Sequence, residues 1–378
     1  MSQIALNLAR KWRSSNFKEI IGQDLVVRIL QNSLFKNQFF PVYLFSGQRG
    51  CGKTSTARVF ASAINCKKLS EFQKNPQSYH LPCLQCDSCI AMTQGRHPDF
   101  MEIDAASYTG VDNIRNIIDT SSFLPLLGER KIYLIDEVHM LSKAAFNAFL
   151  KILEEPPKFV VFILATTEAQ KLPETVRSRC FQLFFNPVKL DTVVAHLEHM
   201  CLKESIAYDV AGLEYIAHVS QGSLRDAINL LEQARFADSK VTKTVVLSVL
   251  GYLDDTALYQ LLSWMLQKNH KDMLVLFQEL SKQTISTEYV VKRFVELLYD
   301  SIILKYNGEP KYFLDIPAEV KELIGQASMQ QLTVYFDQIC SLDMALQKTS
   351  RKQILFESML LRLISRDEMG QLTEEKKK

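Results

Sequence analysis

Gly47-Gln48-Arg49-Gly50-Cys51-Gly52-Lys53-Thr54 fills every fixed position of a phosphate-binding loop: Gly47 and Gly52 with four residues between them, then a lysine and a hydroxyl residue. Such a loop aims backbone N–H groups at phosphate oxygens from a helix N-terminus, so it needs a strand before it and a helix after it. Val42-Tyr43-Leu44-Phe45 suits a buried parallel strand. Ser55 to Ile64 lacks Gly and Pro and places Ala57, Phe60, Ala61 and Ile64 at helical spacing. The expectation is a nucleoside triphosphate enclosed by Gly47 to Ser55, with Lys53 on its β- and γ-phosphates and the Thr54 hydroxyl on Mg²⁺.

Hydrolysis needs a second, acidic site. Ile132-Tyr133-Leu134-Ile135 runs straight into Asp136-Glu137, which puts two carboxylates at the C-terminal edge of a parallel sheet, where ligands bind in α/β folds. Asp136 would complete the Mg²⁺ shell, and Glu137 would orient or deprotonate the attacking water. Alone, the pair reads better as an exposed acidic turn; beside the loop it does not. Leu164-Ala165-Thr166-Thr167 ends a strand expected beside the one carrying Asp136, so Thr167 could sense the γ-phosphate. Arg177-Ser178-Arg179 precedes another strand, where Arg179 could reach a neighbouring site as an arginine finger, and Arg225 could fold back onto the same phosphates.

The chain begins Met1-Ser2-Gln3-Ile4-Ala5-Leu6-Asn7, without a basic segment and long apolar core, and has no apolar run of membrane-spanning length. A cytoplasmic protein is expected, where thiols stay reduced, so the 8 cysteines are not read as disulfides. Cys83, Cys86 and Cys89 recur at two-residue spacing on Pro-rich polar chain, and Cys66 closes the preceding helix. A four-thiolate zinc site is the natural reading, with His80 and His97 as substitutes should Cys66 not be the fourth ligand.

These residues need a scaffold. At 378 residues with 47% hydrophobic content, two to three domains with packed cores are expected. The net charge of +2 decides little, but nine Lys/Arg against Glu19 and Asp24 in residues 1–60 suit phosphate-bearing partners as well as they suit a solvated basic face. Strands at Phe100 to Ile103, Ile132 to Ile135, Val160 to Ala165 and Phe181 to Phe185 join the loop's strand, with an amphipathic helix from Leu141 to Glu155 stopped by Pro156-Pro157. A doubly wound α/β domain results. From about residue 190 helical stripes take over, with Gly222-Ser223 a turn and N-cap; past Gly251 helix follows helix, broken at Gly308 to Pro317, with Pro317 placed as a first helical residue. Those later stripes read equally as a self-contained bundle or an oligomerisation domain, and the tail 369–378 as frayed.

The order of motifs resembles the gamma/tau subunits of bacterial DNA polymerase III, the motors of the sliding-clamp loader. The resemblance rests on Leu8-Ala9-Arg10-Lys11-Trp12-Arg13, Ile21-Gly22-Gln23, the phosphate loop, the four cysteines, Glu102 to Ser107, Ile135 to Leu141, Leu153 to Pro157, Ala165-Thr166-Thr167, Ser178-Arg179-Cys180 and Gly222 to Asp226. It is dense over residues 5–235 and only architectural beyond. It implies an AAA+ ATPase: an α/β domain over 1–185 with a zinc module at 66–89, a helical lid over 186–250 and a helical collar over 251–368. It implies that Lys11, Arg13, Ile21 and Gly22 frame the adenine, that Arg179 acts in trans, and that Arg225 is a sensor borne on the lid. ATP, Mg²⁺ and Zn²⁺ are the implied cofactors. Delta and delta-prime subunits, further copies of the chain, the sliding clamp, primer–template DNA and the polymerase III core are the implied partners.

Arg115, on a helix opening near Thr109, is the candidate DNA-phosphate contact. The sequence departs from the family at Ser14, usually a proline, at Cys51, in a longer stretch between Cys66 and Cys83, and at Tyr108 and Gly110, where basic residues often stand. A long tail linking loader to helicase and polymerase is absent, so a short gamma-type product, or a lineage lacking that extension, is expected. No polymerase-type active site is read in the sequence. A non-hydrolysing ring subunit and another AAA+ enzyme, such as a branch-migration motor, are the alternatives; intact Lys53, Thr54, Asp136 and Glu137 argue against the first, and the cysteine insertion and Ser178-Arg179-Cys180 against the second.

Overall fold

The structure, a computed structural model, describes residues 7–76, 79–107, 110–282, 285–313, 316–346 and 348–375. The readings made for Met1 to Leu6, Tyr108, Thr109 and Lys376 to Lys378 lie outside the described residues. The chain forms two units, Met1–Thr242 and Lys243–Lys378.

In the first unit the chain runs α1 (Leu8–Lys11), α2 (Asp24–Phe35), β1 (Val42–Gly47), α3 (Lys53–Ile64), α4 (Leu69–Lys74), α5 (Asp87–Thr93) and β2 (Phe100–Asp104). It continues through α6 (Val111–Ser121), β3 (Lys131–Asp136), α7 (Lys143–Glu154), β4 (Val160–Thr166), α8 (Glu174–Arg177) and β5 (Phe181–Phe185). The last elements are α9 (Leu190–Glu204), β6 (Ala207–Tyr208), α10 (Val210–Val219), α11 (Leu224–Ala237) and β7 (Lys240–Val241).

β1 to β5 form one parallel sheet in the order β2-β3-β4-β1-β5. A parallel sheet is covered on both faces, and strand alternation divides its apolar residues between two cores. Tyr43, Phe45, Ile132, Leu134, Val161 and Ile163 face α3 with Phe60 and Ile64; Val42, Leu44, Tyr133, Ile135 and Phe162 face α7 with Phe149 and Leu153. Removing a side chain as enclosed as Phe149 costs about 3–5 kcal/mol. Leu141, read as the start of this helix, instead follows a 3-10 turn at Val138–Met140. Ser142 is the cap, its hydroxyl accepting from the Ala145 N–H. The short parallel pair β6-β7 lies in a stretch read as wholly helical.

The second unit holds α12 (Lys243–Leu250), α13 (Asp255–Leu266), α14 (His270–Lys282), α15 (Thr287–Lys305), α16 (Ala318–Gln326), α17 (Met329–Leu346) and α18 (Lys352–Glu375). Leu258, Leu262, Met265, Phe294, Leu298, Leu332, Tyr335 and Ile339 form its core. Pro317 stands one position outside α16, as its cap. The buried Asp300 accepts the N–H groups of Lys311, Tyr312 and Phe313 and so pins the break between α15 and α16. Among the described residues no single helix is long and apolar enough to cross a membrane.

Candidate nucleotide site and four-cysteine cluster

β1 delivers the phosphate loop at the C-terminal edge of the sheet. Its last residue, Gly47, passes so close to β5 that an added Cβ would lie 2.2 Å from the Phe185 carbonyl oxygen, so no other residue fits. Gly52, at φ +102°, caps α3 in a conformation other residues rarely adopt. Lys53 is 5% exposed and its Nζ donates to the Gly47 and Gln48 carbonyls at 2.7 and 2.9 Å, curling along the loop.

β3 lies beside β4 and brings Asp136 to the same edge. The Thr54 hydroxyl donates to Asp136 Oδ2 at 2.7 Å. Two oxygen ligands at neighbouring corners of a Mg²⁺ octahedron, with bonds of 2.0–2.1 Å, stand about 2.9 Å apart, so this pair fits the ion. Glu137 follows at φ +48°, a left-handed conformation that costs a non-glycine residue about 1–2 kcal/mol and turns its carboxylate off the strand line. Glu137 Oε2 accepts from the Thr167 N–H at 3.2 Å and the Thr167 hydroxyl at 3.0 Å.

α11 closes the loop from above. The Leu224 N–H donates to the Gly50 carbonyl, and Ser223 stands so near that a Cβ on Gly50 would meet its Oγ at 2.0 Å. Ser223 also caps α11, accepting from the Asp226 N–H, and Arg225 thereby lines the cleft. The cleft has a volume of about 1300 Å³, larger than the roughly 300–1,000 Å³ of most ligand pockets. Arg13, Arg49, Lys53, Arg58 and Arg225 all line it. Burial, then the neighbouring Arg58, Arg225 and Arg10, hold the Arg13 guanidinium below its ordinary pKa despite Glu102, so a polyanion entering here relieves crowded positive charge.

Some predicted residues lie elsewhere. Ile21 and Ser55 line the cleft; Gly22 turns at φ +72° against Val188, and Lys11 points away, its Nζ 2.8 Å from Glu204 on α9. Trp12 lines the cleft instead, its Nε1–H donating to Glu204 at 2.8 Å and its ring set edge-on to His196 and His199. Arg179 bonds the Thr175 carbonyl and Glu154. β5 pairs with β1 in the register Tyr43 to Phe181 and Gly47 to Phe185, so Arg179, in the turn before β5, precedes the end of the sheet remote from the phosphate loop, the strand alone spanning about 13 Å at about 3.3 Å per residue. Arg115 is exposed on α6 and paired with Asp112 at 3.3 Å.

Sequence reasoning passed over Arg58, His196 and Glu204, and gave Glu102 no role at the site. Arg58 was findable, one turn beyond Thr54 on the same helix face, and it pairs with Glu102 at 2.6 Å.

The four cysteines converge. Cys66 follows α3, Cys86 caps α5, Cys89 lies in its first turn, and the four sulfurs lie within 4.8 Å of one another. Cys83 and Cys89 sulfurs are 3.9 Å apart, against the about 3.8 Å that a tetrahedron of 2.3 Å zinc–sulfur bonds requires. A hydrogen bond with Cys66 brings the Cys89 thiol down to about 5 against the effect of burial, while that bond and burial push Cys66 up. His97 is engaged by Ser88 and the Asp99 N–H, and His80 by Lys18.

Comparison with known proteins agrees with this geometry. Residues 22–189 match the model described as DNA polymerase III, delta subunit, residues 192–236 the clamp loader subunit ATPase lid domain, and residues 241–377 domain III of subunits gamma and tau. The chain is 35% identical to DNA polymerase III subunit gamma of Buchnera aphidicola subsp. Baizongia pistaciae, over 95% of this chain and 96% of that one. It belongs to the gamma/tau family of DNA polymerase III subunits.

It is also 41% identical to Escherichia coli subunit tau over 77% of this chain and 44% of that one, and 34% identical to Bacillus subtilis tau over 94% and 62%. This gamma/tau chain therefore spans about half the length of the tau relatives. Among solved structures, the Holliday junction branch migration motor RuvB of Thermotoga maritima aligns at TM-score 0.47 and 19% identity, over 67% of this chain and 79% of that one. That is too distant to carry an argument. The fold is an AAA+ phosphate-loop α/β unit with an ATPase lid and an all-α domain.

Proposed function

We propose that this chain is the ATP-hydrolysing motor of a clamp loader that places a sliding clamp on primed DNA. The observation that carries it is the Thr54–Asp136 hydrogen bond, with Glu137 one residue on, because it joins the phosphate loop to an acidic pair. Lys53 would leave its own loop carbonyls for the β- and γ-phosphates, and Thr54 and Asp136 would hold Mg²⁺. Mg²⁺, when bound, offsets the negative charge of the β- and γ-phosphate oxygens. Glu137 would draw the proton from the water that attacks the γ-phosphorus, as the bond to the β–γ bridging oxygen breaks and ADP leaves.

Thr167 would hold Glu137 and read the γ-phosphate, and Arg225 would report lid closure. Trp12, Arg13 and Ile21 would frame the base. Arg179, at the far edge of its own sheet, would serve the site of an adjacent subunit. The four cysteines would hold Zn²⁺ as a structural clamp on the 66–89 insertion. The α/β domain would end near 185, the lid near 250 and the collar near 368, the collar assembling with delta- and delta-prime-type subunits and further copies. Arg115 would touch primer–template phosphates. A cytoplasmic location and a link to the polymerase core accord with the family.

The test is ATP turnover by the chain mixed with delta- and delta-prime-type partners, clamp and primed DNA, comparing wild type with Lys53→Ala and Arg179→Ala. Turnover stimulated by clamp and DNA, lost in both variants while Arg179→Ala still binds ATP, is the expected result. Turnover indifferent to clamp and DNA overturns the reading.

A further inference from the structure

His139 is 7% exposed in its side chain and lies between two carboxylates. Its Nδ1 is 3.4 Å from Glu137 Oε2 and shares a 2.9 Å hydrogen bond with the fully buried Thr166 hydroxyl; its Nε2 is 3.5 Å from Glu168 Oε1. The ring thus spans from the acidic pair after β3 to the loop after β4. That loop is itself braced, because the Glu168 N–H donates to the Thr166 oxygen and Lys171 pairs with Glu168 at 2.8 Å.

The contacts to Glu137 fall unevenly on its two oxygens. The Thr167 N–H, the Thr167 hydroxyl and His139 Nδ1 all converge on Oε2, whereas Oε1 has no hydrogen-bond partner among the described residues. A carboxylate anchored through one oxygen presents the other, with its lone pairs in a fixed direction, to a water molecule. Thr167 restrains that carboxylate from the β4 side, and His139 restrains it from the β3 side.

We propose that His139 is a positioning residue for hydrolysis, holding Glu137 through Oε2 so that Oε1 faces the attacking water, and tying that orientation to the Thr166-Thr167-Glu168 loop. This rests on the reading of the cleft as an ATP-hydrolysing site. In the step it serves, Oε1 accepts one water proton, the water oxygen bonds to the γ-phosphorus, and the β–γ bridging oxygen leaves with its electron pair as ADP. Glu137 lines the cleft and His139 stands behind it, so His139 acts on kcat through Glu137 and leaves nucleotide affinity alone.

The experiment uses the full chain with delta- and delta-prime-type partners, clamp, primed DNA, Mg²⁺ and ATP and compares wild type, His139→Phe, His139→Asn, Glu137→Gln and the double variant His139→Phe/Glu137→Gln. The readouts are kcat, KM, nucleotide binding and thermal midpoint. For His139→Phe we expect kcat to fall about 10- to 100-fold, a share of what a general base contributes, with KM and binding within about twofold. His139→Asn, whose amide can donate toward Oε2, should recover part of that loss. In the Glu137→Gln background the same substitution should change nothing further, since the group it positions is gone.

Unchanged kcat in His139→Phe overturns the proposal. So does a loss matched by weaker binding and a lower midpoint with no rescue by Asn, which marks a packing role. A wild type that binds ATP but turns over no faster than Glu137→Gln instead overturns the underlying reading of the site, so the two failures are distinguishable.

Discussion

Asp99 and Asp300 do the same work in the two units, each buried and each accepting three consecutive backbone N–H groups from a loop. At Asp99 burial pushes the carboxyl pKa up, but the N–H groups of Gly128, Leu126 and Leu127, with His97, outweigh it and hold it below the ordinary value. A carboxyl lowered on folding stabilises the protein fully above its unfolded pKa of about 3.9, and that contribution is lost as pH falls through the lower folded value. Asp99→Asn should therefore cost about 1–3 kcal/mol in urea unfolding at pH 7 and progressively less below about pH 4. At the nucleotide site, Glu137→Gln should keep ATP affinity and lower turnover by at least about 100-fold, read by paired binding and steady-state assays. Lys53, Thr54 and Asp136 were legible because motif and strand pattern lie contiguous in the chain. The Trp12–Glu204 bond was not, because it joins residues 192 positions apart and neither type announces the other.

At the level of elements, periodicity located the strands to within a residue or two: Ile132 to Ile135 became Lys131–Asp136, and Val160 to Ala165 became Val160–Thr166. Fully buried parallel strands show as unbroken apolar runs, which is why these stood out. The pair β6-β7 escaped since two-residue strands carry no period. Strand order was legible only for β3 beside β4, because no pattern along the chain states which strand inserts between two others. The N-cap of α11 was readable from Gly222-Ser223, but its seat against Gly50 was not. Ser223→Ala should cost about 1 kcal/mol through the lost cap, measured by chemical denaturation. It should also raise KM for ATP more than it lowers kcat, because Arg225 and the Leu224 N–H are placed by that first turn.

For the molecule as a whole, chelation of the cysteine cluster is the broadest test. With the zinc role proposed for the cluster, chelation or Cys66→Ser should lower the melting temperature, while a fragment of residues 243–378, whose core is its own, should melt at one temperature with or without chelator. Calorimetry with metal analysis of the purified chain checks both. The polarity of the sheet carries a further consequence. With the trans role proposed for Arg179, a subunit would hold two half-sites, since Arg179 precedes the end of β5 remote from the phosphate loop. Below the concentration at which subunits associate, hydrolysis should become second order in protein, with specific activity falling as the solution is diluted. Mixing Lys53→Ala with Arg179→Ala chains should restore a fraction of the rate, set by how often a sound loop finds a sound arginine next door.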